Sequence, residues 1–150
     1  MDLNRLKHSY AVALKMKDIG KKIGLSESVI EELFVLGLNH DIGYEFCDGV
    51  NHNKIGGEIL KKSGYKYWRE VYYHGILTSE YDSLFLLILN QADMQIDKYG
   101  NDVGYDARLL DIESRYGEDS IVYKRCLELI NYVSDYSLYS KYMGKEIILK

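Results

Sequence analysis

The sequence predicts an all-α fold, a single-domain helical bundle. Three observations carry this. Apolar residues recur mostly at intervals of three and four, the period of a helix with one buried face. Proline is absent from all 150 residues. Strand-like alternation of apolar and polar residues is scarce. The length suits one domain with a core of its own, covering 1–150, and no linker or internal repeat divides it.

The first helix is expected from Leu3 to about Gly20, with Leu3, Leu6, Tyr10, Ala13 and Leu14 on one side. Lys21 and Lys22 sit where a helix C-terminus favours positive charge. Leu25-Ser26-Glu27-Ser28 reads as the next helix start, with Ser28 and Glu31 spaced as a capping box. Val29 to Asn39 is almost wholly apolar and predicts a buried central helix. Gly43 suits the left-handed residue just past its end, which puts His40 and Asp41 in the last turn. Tyr44 to Asn53 reads as loop, with Asp48-Gly49 as a turn signal. Asn51 or Asn53 is then the cap of a third helix ending near Ser63, with His52 at its entrance and Lys54 in its first turn. Free N–H groups at such an end can hold an anion.

Tyr67 to Tyr73 is a short aromatic segment leading into His74-Gly75. Ser79 or Asp82 is expected to cap a fifth helix running from Leu84 to Tyr99, with Gly100 after it. The run Leu84 to Leu89 alone would also suit a buried strand, but the whole segment has the length of a helix. Two more helices are predicted at Gly104–Arg115 and Asp119–Tyr136, with Glu118 and Asp119 favouring the start of the second. Residues 144–150 form a short tail. The 15 tyrosines are dispersed, as half-buried packing residues would be.

Composition excludes several classes. The net charge of −4 and scattered basic residues do not suit duplex nucleic acid. The longest apolar run, Leu84 to Leu89, is too short to span a bilayer, so no membrane partner is expected. Met1-Asp2-Leu3-Asn4-Arg5 carries no signal-peptide pattern. Cys47 and Cys126 read as free thiols in a reducing compartment. A cytoplasmic location is therefore expected. A small phosphorylated molecule needs only a local basic spot and a metal.

The candidate chemistry lies in Leu38-Asn39-His40-Asp41-Ile42-Gly43. An imidazole beside a carboxylate is a ligand pair for a divalent transition metal. The other histidines, His8, His52 and His74, each lie near an end of a predicted helix. On residue chemistry alone His8 could equally be a surface or core histidine, His52 a cap and His74 a helix end. Asp93 is a carboxylate on a buried helix, where it needs a partner or an ion. Asp97, four residues on, competes with it.

The order His8, His40-Asp41, His52, His74, Asp93 resembles the HD-domain superfamily of metal-dependent phosphohydrolases. The family carries a histidine on its first helix, a His-Asp pair ending the next, and an aspartate on a later long helix. A subset has two further histidines between. His52-Asn53-Lys54-Ile55-Gly56-Gly57 and Tyr73-His74-Gly75 resemble those slots. The resemblance implies an all-α HD bundle, with a metal-site core over about 3–100 and C-terminal helices over about 104–140.

The resemblance also implies hydrolysis of a small phosphorylated metabolite or nucleotide. The cofactors would be one or two divalent ions (Fe, Mn, Co, Ni or Zn) that make hydroxide available near neutral pH. His8, His40, Asp41 and Asp93 would hold the first, and Asp41 would bridge to a second held by His52 and His74. In this role Asp41 positions the hydroxide and counts as catalytic. Many relatives have lysine where this chain has Tyr44, so Lys54 and Arg5 are the expected substrate-binding cations. Small bacterial proteins that cleave diadenosine tetraphosphate symmetrically are closer in ligand pattern than the cyclic-di-GMP branch, whose Gly-Tyr-Pro and His-His-Glu signatures are missing. Two readings from other classes stay open, a di-iron oxygenase of the same fold and a non-catalytic nucleotide sensor. A homodimer is open as well.

Overall fold

In the computed structural model the described residues are 2–47, 49 and 51–144. They fold into α1 (Leu3–Lys22), α2 (Glu27–Asn39), a 3₁₀ turn (Ile42–Glu45), α3 (His52–Lys62), α4 (Trp68–Tyr73), α5 (Leu84–Asp93), α6 (Gly104–Tyr116), α7 (Ile121–Val133) and α8 (Leu138–Met143). Among the described residues the one extended pairing is an isolated antiparallel bridge between Ile96 and Asp102. The all-α expectation is borne out. No helix among the described residues is long and apolar enough to cross a membrane.

α1 starts at Asp2, whose side chain accepts a hydrogen bond from the Arg5 N–H at 2.8 Å, satisfying one of the free donors of the first turn. Its buried stripe is His8, Ser9, Val12, Ala13, Met16 and Ile19. This corrects the expected stripe, because Leu3, Leu6, Tyr10 and Leu14 are exposed. The helix is apolar on two sides, and a histidine marks the side that faces the core.

α2 is capped by Ser26 rather than Ser28, through a bond from the Val29 N–H. It crosses α1 at Gly37, where a Cβ would lie 2.5 Å from the Ala13 Cα. Gly43 also departs from expectation. It lies in the 3₁₀ turn and has no positive φ. Its missing side chain serves contact instead, since a Cβ there would meet the His52 carbonyl oxygen at 1.9 Å. The 3₁₀ turn replaces the first part of the expected loop. The Asp48-Gly49 turn signal falls partly on Asp48, outside the described residues, as does the tail from Lys145 on.

Asn51 occupies the cap position of α3 in a left-handed conformation and makes no capping bond. Asn53 instead donates to the Tyr72 carbonyl at 2.9 Å, tying α3 to α4. α5 is capped by Ser83, neither Ser79 nor Asp82. Ser83 also donates to the buried Glu70 carboxylate, as does Tyr81, each at 2.8 Å.

α5 is the central helix. Every residue from Leu86 to Asp93 is buried. Its polar members are satisfied: Gln91 donates to the Val133 carbonyl and accepts from Tyr139, and Asn90 accepts from the Gly75 N–H. Around it pack Val12, Met16, Leu33, Leu36 and Leu129 from α1, α2 and α7. Each such buried side chain contributes about 1.5–3 kcal/mol.

The helix stops at Asp93, six residues before the expected Tyr99. Asp97 accepts hydrogen bonds from the N–H groups of Tyr99 and Asn101, both at 2.9 Å. A side chain that competes in this way for nearby backbone donors favours a turn over another helical turn. α7 likewise ends at Val133, short of Tyr136, and α8 was not anticipated.

Candidate metal centre

His8 comes from α1, His40 from the end of α2, and Asp41 from the start of the 3₁₀ turn. His52 opens α3, His74 closes α4, and Asp93 is the last residue of α5. Six residues separated by up to 85 positions are thus brought to one place. All but His52 are buried.

The two oxygens of Asp41 face different pairs of rings. Oδ2 lies 3.6 Å from His8 Nε2 and 3.3 Å from His40 Nε2. Oδ1 lies 3.4 Å from His52 Nε2 and 3.4 Å from His74 Nε2. Asp93 Oδ1 closes the first group, 2.9 Å from His8 Nε2 and 3.4 Å from His40 Nε2. Ligands at ~2.0–2.2 Å from a common ion stand roughly 3 Å apart, and these spacings fit that.

Each imidazole has the same second partner, a backbone carbonyl at Nδ1. His8 Nδ1 bonds the Asp97 carbonyl at 2.9 Å, His40 that of Gly37 at 2.7 Å, His52 that of Gly49 at 3.1 Å and His74 that of Val71 at 2.6 Å. A carbonyl only accepts, so each Nδ1 carries a proton and each Nε2 is turned to the centre. Such outer bonds fix ring orientation and raise ligand basicity. The early end of α5 now has a reason. The turn that follows it delivers the Asp97 carbonyl to His8, and its Gly100 packs against Lys7 so closely that a Cβ would lie 2.7 Å from the Lys7 oxygen.

Electrostatics agree. Burial opposes the charge on Asp41 and Asp93, yet His40 and the other rings hold both carboxyls well below their usual range. Burial also opposes a charge on His40, but Asp41 and Asp93 raise its pKa well above the usual imidazole value. Its Nε2 is fully buried and makes a proper hydrogen bond to neither carboxylate. A buried, unsatisfied donor or acceptor costs about 1–3 kcal/mol. The donor set therefore fits a divalent transition metal, with anionic oxygens and imidazole nitrogens aimed at shared points.

Beside the centre, Tyr44 stacks on the His52 ring at 4.3 Å between centroids. The Arg5 guanidinium lies over the other part of this stack, 3.3 Å from the Tyr44 ring centre, and 3.9 Å from Asp41 Oδ2. Burial, with the Asp41 charge, pushes the Tyr44 phenol up to about 12, so it stays neutral at ordinary pH.

The centre opens into a cavity of about 390 Å³, within the size range of small-molecule sites. Arg5 lines it. Lys54 is exposed on α3 and does not line it, so its position does not support the substrate-binding role expected of it. A lysine in the first turn of a helix need not face the ligand held by its neighbour. The sequence reading also missed Lys98, Arg108 and Arg115, which do line the cavity. The i, i+4, i+7 spacing of Arg108, Ile112 and Arg115 was the available signal.

Compared with known proteins, the chain matches the family model of the HD domain over residues 5–135. No curated protein and no solved structure matches it. A family match spanning most of the chain, ending beyond α7, shows that this protein belongs to the HD-domain family, within the superfamily of metal-dependent phosphohydrolases.

Proposed function

We propose that the chain hydrolyses a phosphate ester or anhydride of a small molecule at a dinuclear metal centre. The observation that carries this is the division of labour within Asp41, whose Oδ2 faces His8 and His40 and whose Oδ1 faces His52 and His74. A carboxylate set between two groups of ligands is the natural bridge between two ions. His8, His40 and Asp93 would complete the first position, and His52 and His74 the second. Ions bound there would supply Lewis acidity and a water acidified toward a pKa of ~7.

The chain's own residues do the rest. Asp41 and Asp93 keep their negative charge at any ordinary pH. The four Nδ1 bonds to carbonyls hold the rings in the ligating tautomer. Arg5 reaches the cavity over Tyr44, where its charge would meet a phosphoryl oxygen. In the reaction, a water oxygen joins phosphorus and the phosphorus–oxygen bond to the leaving group breaks. The leaving oxygen keeps the bonding pair and takes up a proton.

The test is a screen of phosphorylated metabolites on protein loaded with Mn, Co or Fe. Phosphate release that disappears in Asp41→Ala supports the reading. Oxygen consumption instead would move the assignment to the oxygenase class of the same fold. Tight nucleotide binding without a product would make it a sensor.

A further inference from the structure

Besides the His/Asp cluster, the cavity is walled by one face of α6 and one face of α7. Arg108, Ile112 and Arg115 recur at four and three residues and so share one side of α6. Val122 and Cys126 do the same on α7, and all five line the cavity. The acids that line it, Asp2, Asp41 and Asp93, come from α1's cap and from the metal centre. Neither α6 nor α7 contributes a carboxylate to the lining. The lining thus combines the carboxylates of the metal centre with the guanidinium groups that α6 contributes.

Arg108 is the most informative of these cations. Its Nε is buried without a hydrogen-bond partner, and the group makes no ion pair among the described residues. Its charge is felt by Asp97, but that carboxylate is already held by the N–H groups of Tyr99 and Asn101. Arg115 is paired with Asp111, one turn earlier on α6, at 2.8 Å. Lys98 reaches the cavity from the turn after α5. A buried guanidinium N–H left unpaired is costly unless a ligand meets it. The planar guanidinium fork matches phosphate oxygens bidentately, better than it matches a single acceptor.

We propose that Arg108, Arg115 and Lys98 form a second anion subsite, which holds a further phosphoryl group of the substrate while the first is hydrolysed at the metal centre. The word substrate rests on the phosphohydrolase reading; the subsite rests on the α6 wall. The preferred substrates are accordingly polyphosphorylated, and simple monoesters are poor. Three cations facing one group suit the charge of nearly two that a phosphoryl terminus carries near neutral pH.

The test uses the metal-loaded protein and ligands that cannot be hydrolysed. Methylphosphonate is compared by calorimetry with alkylene bisphosphonates of increasing chain length. Wild type should bind the best bisphosphonate at least tenfold more tightly than methylphosphonate. Arg108→Met and Arg115→Met should each remove most of that advantage, and Arg108→Lys should restore part of it. The melting temperature of each variant shows whether it folds, and a misfolded one is judged by the other. A bisphosphonate no better than methylphosphonate overturns the subsite and leaves the hydrolase reading standing. So does an equal loss for both ligands in the arginine variants. If no phosphonate binds at all, both fall.

Discussion

A methyl group added at Gly43 tests how α3 is held against the metal centre. In Gly43→Ala the new Cβ would lie 1.9 Å from the His52 carbonyl oxygen and 2.7 Å from its carbon. Both atoms are backbone, so no rotamer change relieves the clash. Ordinary contact begins near 3.4 Å, which means the 3₁₀ turn and α3 must part by roughly 1.5 Å. His52 Nε2 now stands 3.4 Å from Asp41 Oδ1. Taken up along that line, the shift leaves the pair about 4.9 Å apart, beyond the ~4.2 Å that two ligands of one ion can span. The expected result is loss of about one metal equivalent from the His52–His74 side, with the first position retained. Overpacking of this kind costs about 1–3 kcal/mol, a drop of roughly 2–10 °C in melting temperature for a chain of this size. Calorimetry and metal analysis of the purified variant measure both. An unchanged melting temperature with the full metal complement would refute the reasoning.

Other expectations follow from the same geometry. The His40 pKa is raised in the folded protein, so its stabilising contribution is complete below the usual imidazole value and is lost as pH rises through the folded one. Asp41 and Asp93 are depressed, so theirs is present above the usual carboxylate range and is lost as pH falls through the folded values. A metal must displace the His40 proton and binds more tightly as pH rises. Thermal melts with and without chelator should therefore diverge toward alkaline pH; parallel curves would count against the proton–metal competition. Glu70→Ala, which leaves Tyr81 and Ser83 without their buried acceptor, should cost about 3 kcal/mol and keep the metal stoichiometry. Loss of metal from that variant would show the α4–α5 junction to be part of the site. Arg5→Met should raise KM for a phosphate ester about tenfold and Lys54→Ala should not; the reverse ranking would return the substrate contact to α3.

The candidate ligand set was legible in the sequence because metal sites draw on rare residues. Four histidines, the aspartate beside His40 and another inside an apolar run left few alternatives, and all six residues meet in one cluster. The helices were legible from their period. What escaped was whatever depends on which side of an element meets another. The Leu3, Leu6, Tyr10, Leu14 side of α1 is as apolar as the buried one, so periodicity could not choose between them. Gly43 looked like a helix stop because a glycine needed for close approach and one needed for positive φ read alike. The end of α5 at Asp93 turns on a local competition, an aspartate bonding the backbone ahead of it, which apolar spacing does not register. The α6 wall of the cavity is assembled only when α7 packs against α5 and α6 against α7. Arg108 and Arg115 were therefore not set apart from the other scattered basic residues.

Metal stoichiometry tests the central claim most directly. Titration of a divalent transition metal into chelator-treated protein should show two equivalents per chain. His52→Ala and His74→Ala should each retain one, and Asp41→Ala should retain neither at full affinity, because its two oxygens face the two groups of rings. A single equivalent in wild type, unchanged in the His52 and His74 variants, would contradict the bridged dinuclear centre and reassign those two histidines to substrate.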